Sequence, residues 1–485
     1  MSSSMHAAIA AHRFGLGEAD LDVVGSDPQG WLLAQIGPAD VQRGSALPTA
    51  AEGLRAHDAF LRRLRGERAA GDGMAGMPVE QQFAEHFREL VQADMATRLV
   101  TAAATQRPFA ERLALFWANH FTVSNAKGAS RGLIGSFERE AIRPHIAGSF
   151  EQLLGASTRH AAMLRYLDNA LSAGPHSRLV RRLARRHAIE GGDAPRITGL
   201  NENLAREVLE LHTLGVDGGY TQADITAFAA LLTGWRAPRL PRGDEASFFD
   251  PAWHEPGAKT VLGKRYPEGP QALADMLHDL ARHPSTARFI ATKLARHFVA
   301  DDPPPALVER LTRSFSSSGG DLPALYRELV LAPDAWQPQP SKLKSPEELV
   351  VSAARLLRIG DAMLARGRDG GAALMGQRVQ AAPSPAGWPD RVEEWLGPDA
   401  VWKRLEWATR VGDRLGRQFD ARALAGRALG AALGDESRRQ IERAADGPQA
   451  LALLLMAPEF QRTMGTAEFH HLVGTAVAAR QQALG

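Results

Sequence analysis

Asn203, Arg206, Glu207 and Glu210 stand at offsets of three, four and seven within Asn201-Glu202-Asn203-Leu204-Ala205-Arg206-Glu207-Val208-Leu209-Glu210-Leu211-His212-Thr213-Leu214. At about 100° per residue they share one helix face, while Leu204, Val208 and Leu211 share another. Two carboxylates, an amide and a guanidinium gathered in this way can ligate a divalent cation or carry acid/base chemistry. The same stripe also fits a solvated helix face, because Arg206 and Glu210 make an (i, i+4) pair of the kind that decorates exposed helices. His212 falls about 160° from Glu210, on the apolar side. It is expected to be a hydrogen-bonded core histidine rather than a ligand.

Four further segments carry reactive groups. His120 closes Phe116-Trp117-Ala118-Asn119-His120 and shares a face with Leu113 and Trp117, so it points inward. Such a histidine is a general base, a metal ligand or a core group bonded to a carbonyl. Asp168 and Asn169 end the segment His160–Asn169. An acid at a helix C-terminus opposes the dipole and calls for a cation or substrate group, although Asp and Asn also simply mark helix stops. His254, Glu255 and Lys259 sit in one turn, which is either a polar surface loop or a loop closing over the helical acids. Arg178, Arg181, Arg182, Arg185 and Arg186 recur at offsets of three, four, seven and eight. That stripe either meets an anionic partner or is solvated and locally paired.

These residues define a candidate set. His120, Asp168, Glu207 and His254 are the catalytic candidates. Asn201, Asn203, Arg206 and Lys259 are the substrate-binding candidates, and the five arginines form an anion-binding stripe. Asp168, Glu207 and Glu210 are the candidate metal ligands; hard oxygen donors suit Mg²⁺, Mn²⁺ or Ca²⁺, and histidine participation admits Zn²⁺ or Fe²⁺. The cofactor itself stays open, a divalent metal being one option.

Helices must position these groups. Long stretches have helical spacing broken by Gly and Pro, and strand-like alternation is nearly absent. The expected fold is mainly α, a large multi-helix single unit with at most a short β-hairpin between Phe248 and Tyr266. Thr221 with Asp224, and Ser345-Pro346-Glu347-Glu348, are explicit helix starts. Residues 1–385 are expected to form the helical core that carries the motifs, and 386–485 a C-terminal helical subdomain packed on it. Long loops are expected at Gly66–Pro78 and Gly360–Pro385.

The 485-residue chain is 44% apolar, and its 57 basic residues nearly balance its 55 acidic ones, for a net charge of +2. This balance gives no global nucleic-acid signature. Cysteine is absent, which excludes disulfides, thiolate metal sites and cysteine nucleophiles. No apolar run is long enough to span a membrane. Met1–Gly15 lacks a basic segment followed by an apolar one, so the expected location is cytoplasmic as the sequence stands, or periplasmic or exported if a signal was removed. Walker, G-x-S-x-G and H-E-x-x-H motifs are all missing.

Several segments together resemble one known family. They are Leu115-Phe116-Trp117-Ala118-Asn119-His120-Phe121, Ala162–Asn169, Leu200–Glu207, Leu211–Thr221 and Leu232-Thr233-Gly234-Trp235, continuing to Gly387-Trp388-Pro389. They resemble the bacterial family named domain of unknown function 1800, which carries no established reaction. The resemblance implies frequent export and a neighbouring sulfatase-like protein, domain of unknown function 1501, hence work on cell-surface or extracellular polymers, anionic ones among them. The chain departs from the family pattern in three ways: no export signal, the inserted Arg178–Arg186 segment, and Glu255 where an aspartate after the histidine is more usual.

Two function classes follow. One is an enzyme, metal-assisted or acid/base, acting on an anionic or cell-surface polymer. The other is a non-catalytic helical scaffold or binding partner for a sulfatase-like enzyme, its polar groups forming a buried network that fixes helix register. An open polar cleft favours the first, and a dry, fully paired ion network the second.

Overall fold

The computed structural model describes residues 3–44, 47–70, 78–190, 199–338 and 342–461. The chain is mainly α-helical, as the pattern predicts. The expected hairpin is accompanied by a second small sheet: Trp235–Arg236 pairs with Phe248–Phe249, and Lys259–Val261 with Lys264–Tyr266, both antiparallel. The turn of the second pair puts Leu262 and Gly263 at φ 51° and 76°. Leucine disfavours that region. It is held there because its backbone N–H donates to Asp224 Oδ1 at 2.6 Å. Asp224 also closes the capping box with Thr221, so one carboxylate fixes both a helix start and a hairpin turn. The expected loop at Gly66–Pro78 begins as helix, since Ala50–Ala70 is one α-helix, and 71–77 lie outside the described residues. The Gly360–Pro385 stretch contains two short helices, Asp361–Arg366 and Ala372–Met375.

The buried apolar residues form two main clusters. The first runs from Ala7 to Trp336. The second joins residues between Leu349 and Phe460 to Leu16, Leu99, Val100, Ala102 and Leu115. The Pro108–His120 helix stands between them. It gives Leu113, Phe116 and Trp117 to the first cluster and Leu115 to the second. A helix covered on nearly every side must satisfy each polar group it carries, and Glu111, Arg112 and His120 are all buried in it.

Among the described residues three segments are π-helical: Ala10–Phe14, Glu138–Ile142 and Val208–Thr213. The third replaces the second half of the single helix expected over Asn201–Leu214. There, the Leu214 N–H donates to Leu209 O at 2.9 Å and the Thr213 hydroxyl to Val208 O at 2.6 Å. Such wide turns change the register of everything after Glu207 and are frequent at functional sites. Among the described residues no helix is long and apolar enough to cross a membrane.

A buried ion network ties the helices together. Arg98 pairs with Glu138 at 2.6 Å and Glu347 at 2.5 Å, and Arg143 pairs with Glu111 at 2.5 Å and Glu138 at 3.3 Å. Burial pushes the Glu138 carboxyl up, but Arg98 and Arg143 outweigh it and the net shift is downward. Since Glu138 serves two guanidinium groups at once, Glu138→Gln is predicted to cost about 1–3 kcal/mol, because the amide nitrogen sets a donor against a buried guanidinium that loses an acceptor, although Arg98 keeps Glu347 and Arg143 keeps Glu111. Denaturant unfolding measures this, and an unchanged midpoint would show that the network adds nothing to stability.

Candidate functional site

A cleft of about 330 Å³ opens between four elements. Arg112, Phe116, Asn119 and His120, at offsets of four, seven and eight, present one face of the Pro108–His120 helix to it. Lys293, Arg296 and His297, at offsets of three and four, present one face of the Pro284–Phe298 helix. The first turn of the Pro346–Leu356 helix adds Glu347 and Glu348, and the loop Trp388-Pro389-Asp390-Arg391 closes the remaining side.

Asn119 fixes that loop. Its side-chain amide donates to Trp388 O at 2.9 Å and accepts from Trp388 N at 2.8 Å. The approach is so close that a Cβ on Gly387, at φ 85°, would lie 2.5 Å from Asn119 O. Only glycine suits both that backbone conformation and that space. Further along, Asp301 accepts from Val392 N at 2.7 Å and pairs with Lys342, which reaches Asp390 Oδ1 at 3.3 Å.

Arg112 organises the polar wall. Its Nη1 donates to the carbonyls of Arg13 and Gly15, its Nη2 pairs with Glu348 at 2.9 Å, and its Nε donates to His297 Nε2 at 3.2 Å. A guanidinium can only donate. His297 Nε2 is therefore an acceptor, and its Nδ1 carries the proton given to Asp390 Oδ2 at 2.9 Å. Burial pushes the His297 pKa down, with Asp390 opposing and Arg112 adding to the shift. Burial pushes Asp390 up, but His297, Lys342 and Arg112 together hold its carboxyl well below the usual range. Both ring nitrogens of His297 are thus in use, and the His297–Asp390 pair positions the loop rather than offering a free base.

Charge pairing in the cleft leaves two cations, Lys293 and Arg296, without a carboxylate partner among the described residues. Glu347 is taken by Arg98, Glu348 by Arg112 and Asp390 by Lys342. Among the described residues Lys293 makes no hydrogen bond or ion pair; its ammonium lies 5.6 Å from the centroid of the Phe289 ring. Burial lowers its pKa to about 8, opposed by Asp390 and reinforced by Arg296. Arg296 donates Nε to the Asp301 carbonyl at 3.0 Å rather than to a carboxylate. Beside Lys293 are two buried histidines. His120 Nε2 donates to His212 O at 3.1 Å, and its Nδ1 has no partner among the described residues. Burial, then the Lys293 charge, keeps both imidazoles neutral, His120 well below its ordinary value and His212 at about 3. His212 is a core residue, but contrary to expectation its ring nitrogens have no hydrogen-bond partner among the described residues, and its carbonyl does the hydrogen bonding.

Of the residues singled out from sequence, only His120 lines this cleft. Asp168, at φ 60°, pairs with Lys127 at 2.6 Å, and the same ammonium donates to Tyr166 O. Arg206 pairs with Glu202 at 3.2 Å, not with Glu210. Glu210 instead lies beside Tyr220, whose pKa is pushed up to about 12 by burial and then by this carboxylate. Glu207 is half-buried and shifted up by burial and by Glu210. Asn201 Oδ1 accepts from Asn203 N at 2.9 Å and so shapes the helix start. His254 donates from Nδ1 to Thr233 O at 2.7 Å and faces Lys259 Nζ at 3.3 Å through Nε2. Lys259 itself is held by the carbonyls of Glu255 and Gly257. Glu255 pairs with His176 at 2.7 Å. Among the described residues no three His, Asp or Glu side chains gather as metal ligands; Asp168 is neutralised by Lys127 before it can join Glu207 and Glu210. Arg178, Arg181, Arg182, Arg185 and Arg186 are all exposed on the Arg178–Glu190 helix.

The groups that sequence reasoning missed are Arg112, Lys293, His297 and Asp390. Two signals point to them. Lys293 and His297 are an (i, i+4) pair of basic residues on one helix, and Arg112 sits inside the otherwise apolar run Phe109–Trp117.

The family model described as "Protein of unknown function (DUF1800)" matches residues 9–462. The chain belongs to the DUF1800 family. The matched span takes in all four walls of the cleft. No curated protein and no solved structure gives a significant match to the chain.

The Asn119–Trp388 clasp yields a direct test. Gly387→Ala is predicted to destabilise by about 1–3 kcal/mol, from backbone strain and the forced contact with Asn119. It should also speed hydrogen exchange at the Trp388 amide. Unaltered exchange would mean that the clasp does not hold the loop.

Proposed function

We propose that this DUF1800 protein is an enzyme of the acid/base type that takes an anionic group of its substrate into the cleft, with Lys293 as the residue that meets it. The observation that supports this is the Lys293 ammonium, without an ion pair among the described residues, on a wall where Glu347, Glu348 and Asp390 are already neutralised. A lysine whose proton leaves near pH 8 serves in two ways. Protonated, it binds a carboxylate, phosphate or sulfate; deprotonated, it is a base or nucleophile. His120, kept neutral by burial and by the Lys293 charge, lies beside it and adds no competing charge. An anionic substrate agrees with the polymers that the family resemblance suggests, and a sulfatase-like protein is the partner it suggests.

The scaffold reading has its own support in the closed network of Glu111, Arg143, Glu138, Arg98 and Glu347. That network reaches the cleft through Arg98, Glu138 and Glu347 and would fix helix register, but it does not engage Lys293. Amine labelling separates the two. At pH 8 an ordinary lysine is less than about 1% deprotonated, so trinitrobenzenesulfonate should modify Lys293 faster than Lys264 or Lys403 by about tenfold. Inorganic phosphate or sulfate should slow that reaction alone. Lys293 labelled no faster than the surface lysines, with no anion protection, would favour the scaffold.

Stability gives a second test. The unfolded chain holds the Lys293 proton up to about pH 10.5 while the folded protein releases it near 8, so this residue makes stability rise with pH between those values. Lys293→Met is predicted to stabilise the protein at pH 7 by about 1–3 kcal/mol, the gain fading above pH 8. A loss of stability at pH 7 would mean that the ammonium has a partner in the fold.

A further inference from the structure

Away from the cleft, the Arg178–Glu190 helix is held to the body of the fold at its first turns, by a short apolar contact and by the Leu179 N–H, which donates to Ala252 O at 2.9 Å. Leu179, Val180 and Leu183 pack on Ala173, Ala252 and Trp253, and residues 184–189 are exposed. Arg178, Arg181, Arg182, Arg185 and Arg186 fall on one face, along about 12 Å of helix. Among the described residues Arg178, Arg181, Arg182 and Arg185 form no ion pair, and the nearby acid Glu255 is held by His176. Like charges three and four residues apart destabilise a helix by a few tenths of a kcal/mol per pair. The row therefore works against the helix that displays it unless a counter-anion lies along it.

We infer that this helix is a docking element for a linear acidic polysaccharide, its guanidinium groups pairing with sulfate or carboxylate groups along the chain. Guanidinium forks match such planar or multidentate anions. Two other polyanions fit less well. A lipid bilayer needs an exposed apolar face, and this helix turns its apolar face onto its own protein, leaving Ile189 as its one exposed large apolar side chain. Single-stranded nucleic acid is held by aromatic side chains on which its bases stack, and Arg178–Glu190 contains no Phe, Tyr or Trp. The surface is independent of the cleft, and its test does not depend on Lys293.

The test is a fluorescence-anisotropy titration of the full chain with a labelled heparin decasaccharide and with a polygalacturonate oligomer, which separates sulfate from carboxylate recognition. With four cations engaged, raising NaCl from about 50 to 200 mM should weaken binding about 50- to 150-fold. The quadruple variant R178Q/R181Q/R182Q/R185Q should bind at least about 30-fold more weakly than the wild type. The corresponding quadruple lysine variant should keep salt-dependent binding, and Lys293→Met should bind as the wild type does. Should the glutamine variant not fold, Arg182→Glu alone is read for the same loss. Absence of binding at low salt, or unaltered binding by the glutamine variant or by Arg182→Glu, would overturn the inference. So would tighter binding to oligo(dT) or to phosphatidylserine vesicles than to either polysaccharide.

Discussion

The cleft depends on one buried guanidinium. Arg112 is buried in the middle of the Pro108–His120 helix and cannot give up its proton, so acceptors must converge on it from elsewhere in the chain. They come from three distant places: the carbonyls of Arg13 and Gly15 at the end of the first π-helical segment, Glu348 in the first turn of the Pro346–Leu356 helix, and His297. Satisfying Arg112 thereby brings together segments separated by hundreds of residues. It also sets the His297 tautomer, and with it the hydrogen bond that orients Asp390.

Charge pairing then decides what the cleft can do. A buried charge is tolerated when it is paired and hydrogen-bonded, and Glu347, Glu348 and Asp390 each have a cation. Lys293 has no such partner among the described residues. Its neighbours are an aromatic ring and two imidazoles kept neutral by burial and by its own charge. An uncompensated cation in a solvent-connected cleft costs stability. The three π-helical segments contribute to the same region. One supplies carbonyls to Arg112, one carries Glu138, and one turns the His212 carbonyl toward His120.

The helical fold was legible because helix starts are local. Thr221 with Asp224 and Ser345 with Glu348 form the capping boxes that their spacing suggests. The site was less legible, for two physical reasons. The polar stripe of Asn203, Arg206, Glu207 and Glu210 was read on a regular helix, but a π-helical segment begins at Val208, and Arg206 turns to Glu202. The cleft, in turn, is assembled by contacts such as His297–Asp390 and Asn119–Trp388, which join residues 93 and 269 positions apart. No local pattern announces such contacts. His120 was recoverable because its inward position is a property of its own helix. Lys293 became meaningful only when the acids around it were seen to be taken.

The most direct measurement is the titration of the Lys293 ε-amine itself, followed by ¹³C NMR of reductively dimethylated protein and assigned with Lys293→Arg. An apparent pKa near 8, moving upward when inorganic phosphate or sulfate is added, is the result the account predicts. Titration near 10.5, unaffected by either anion, would contradict it and show that Lys293 is not an uncompensated cation.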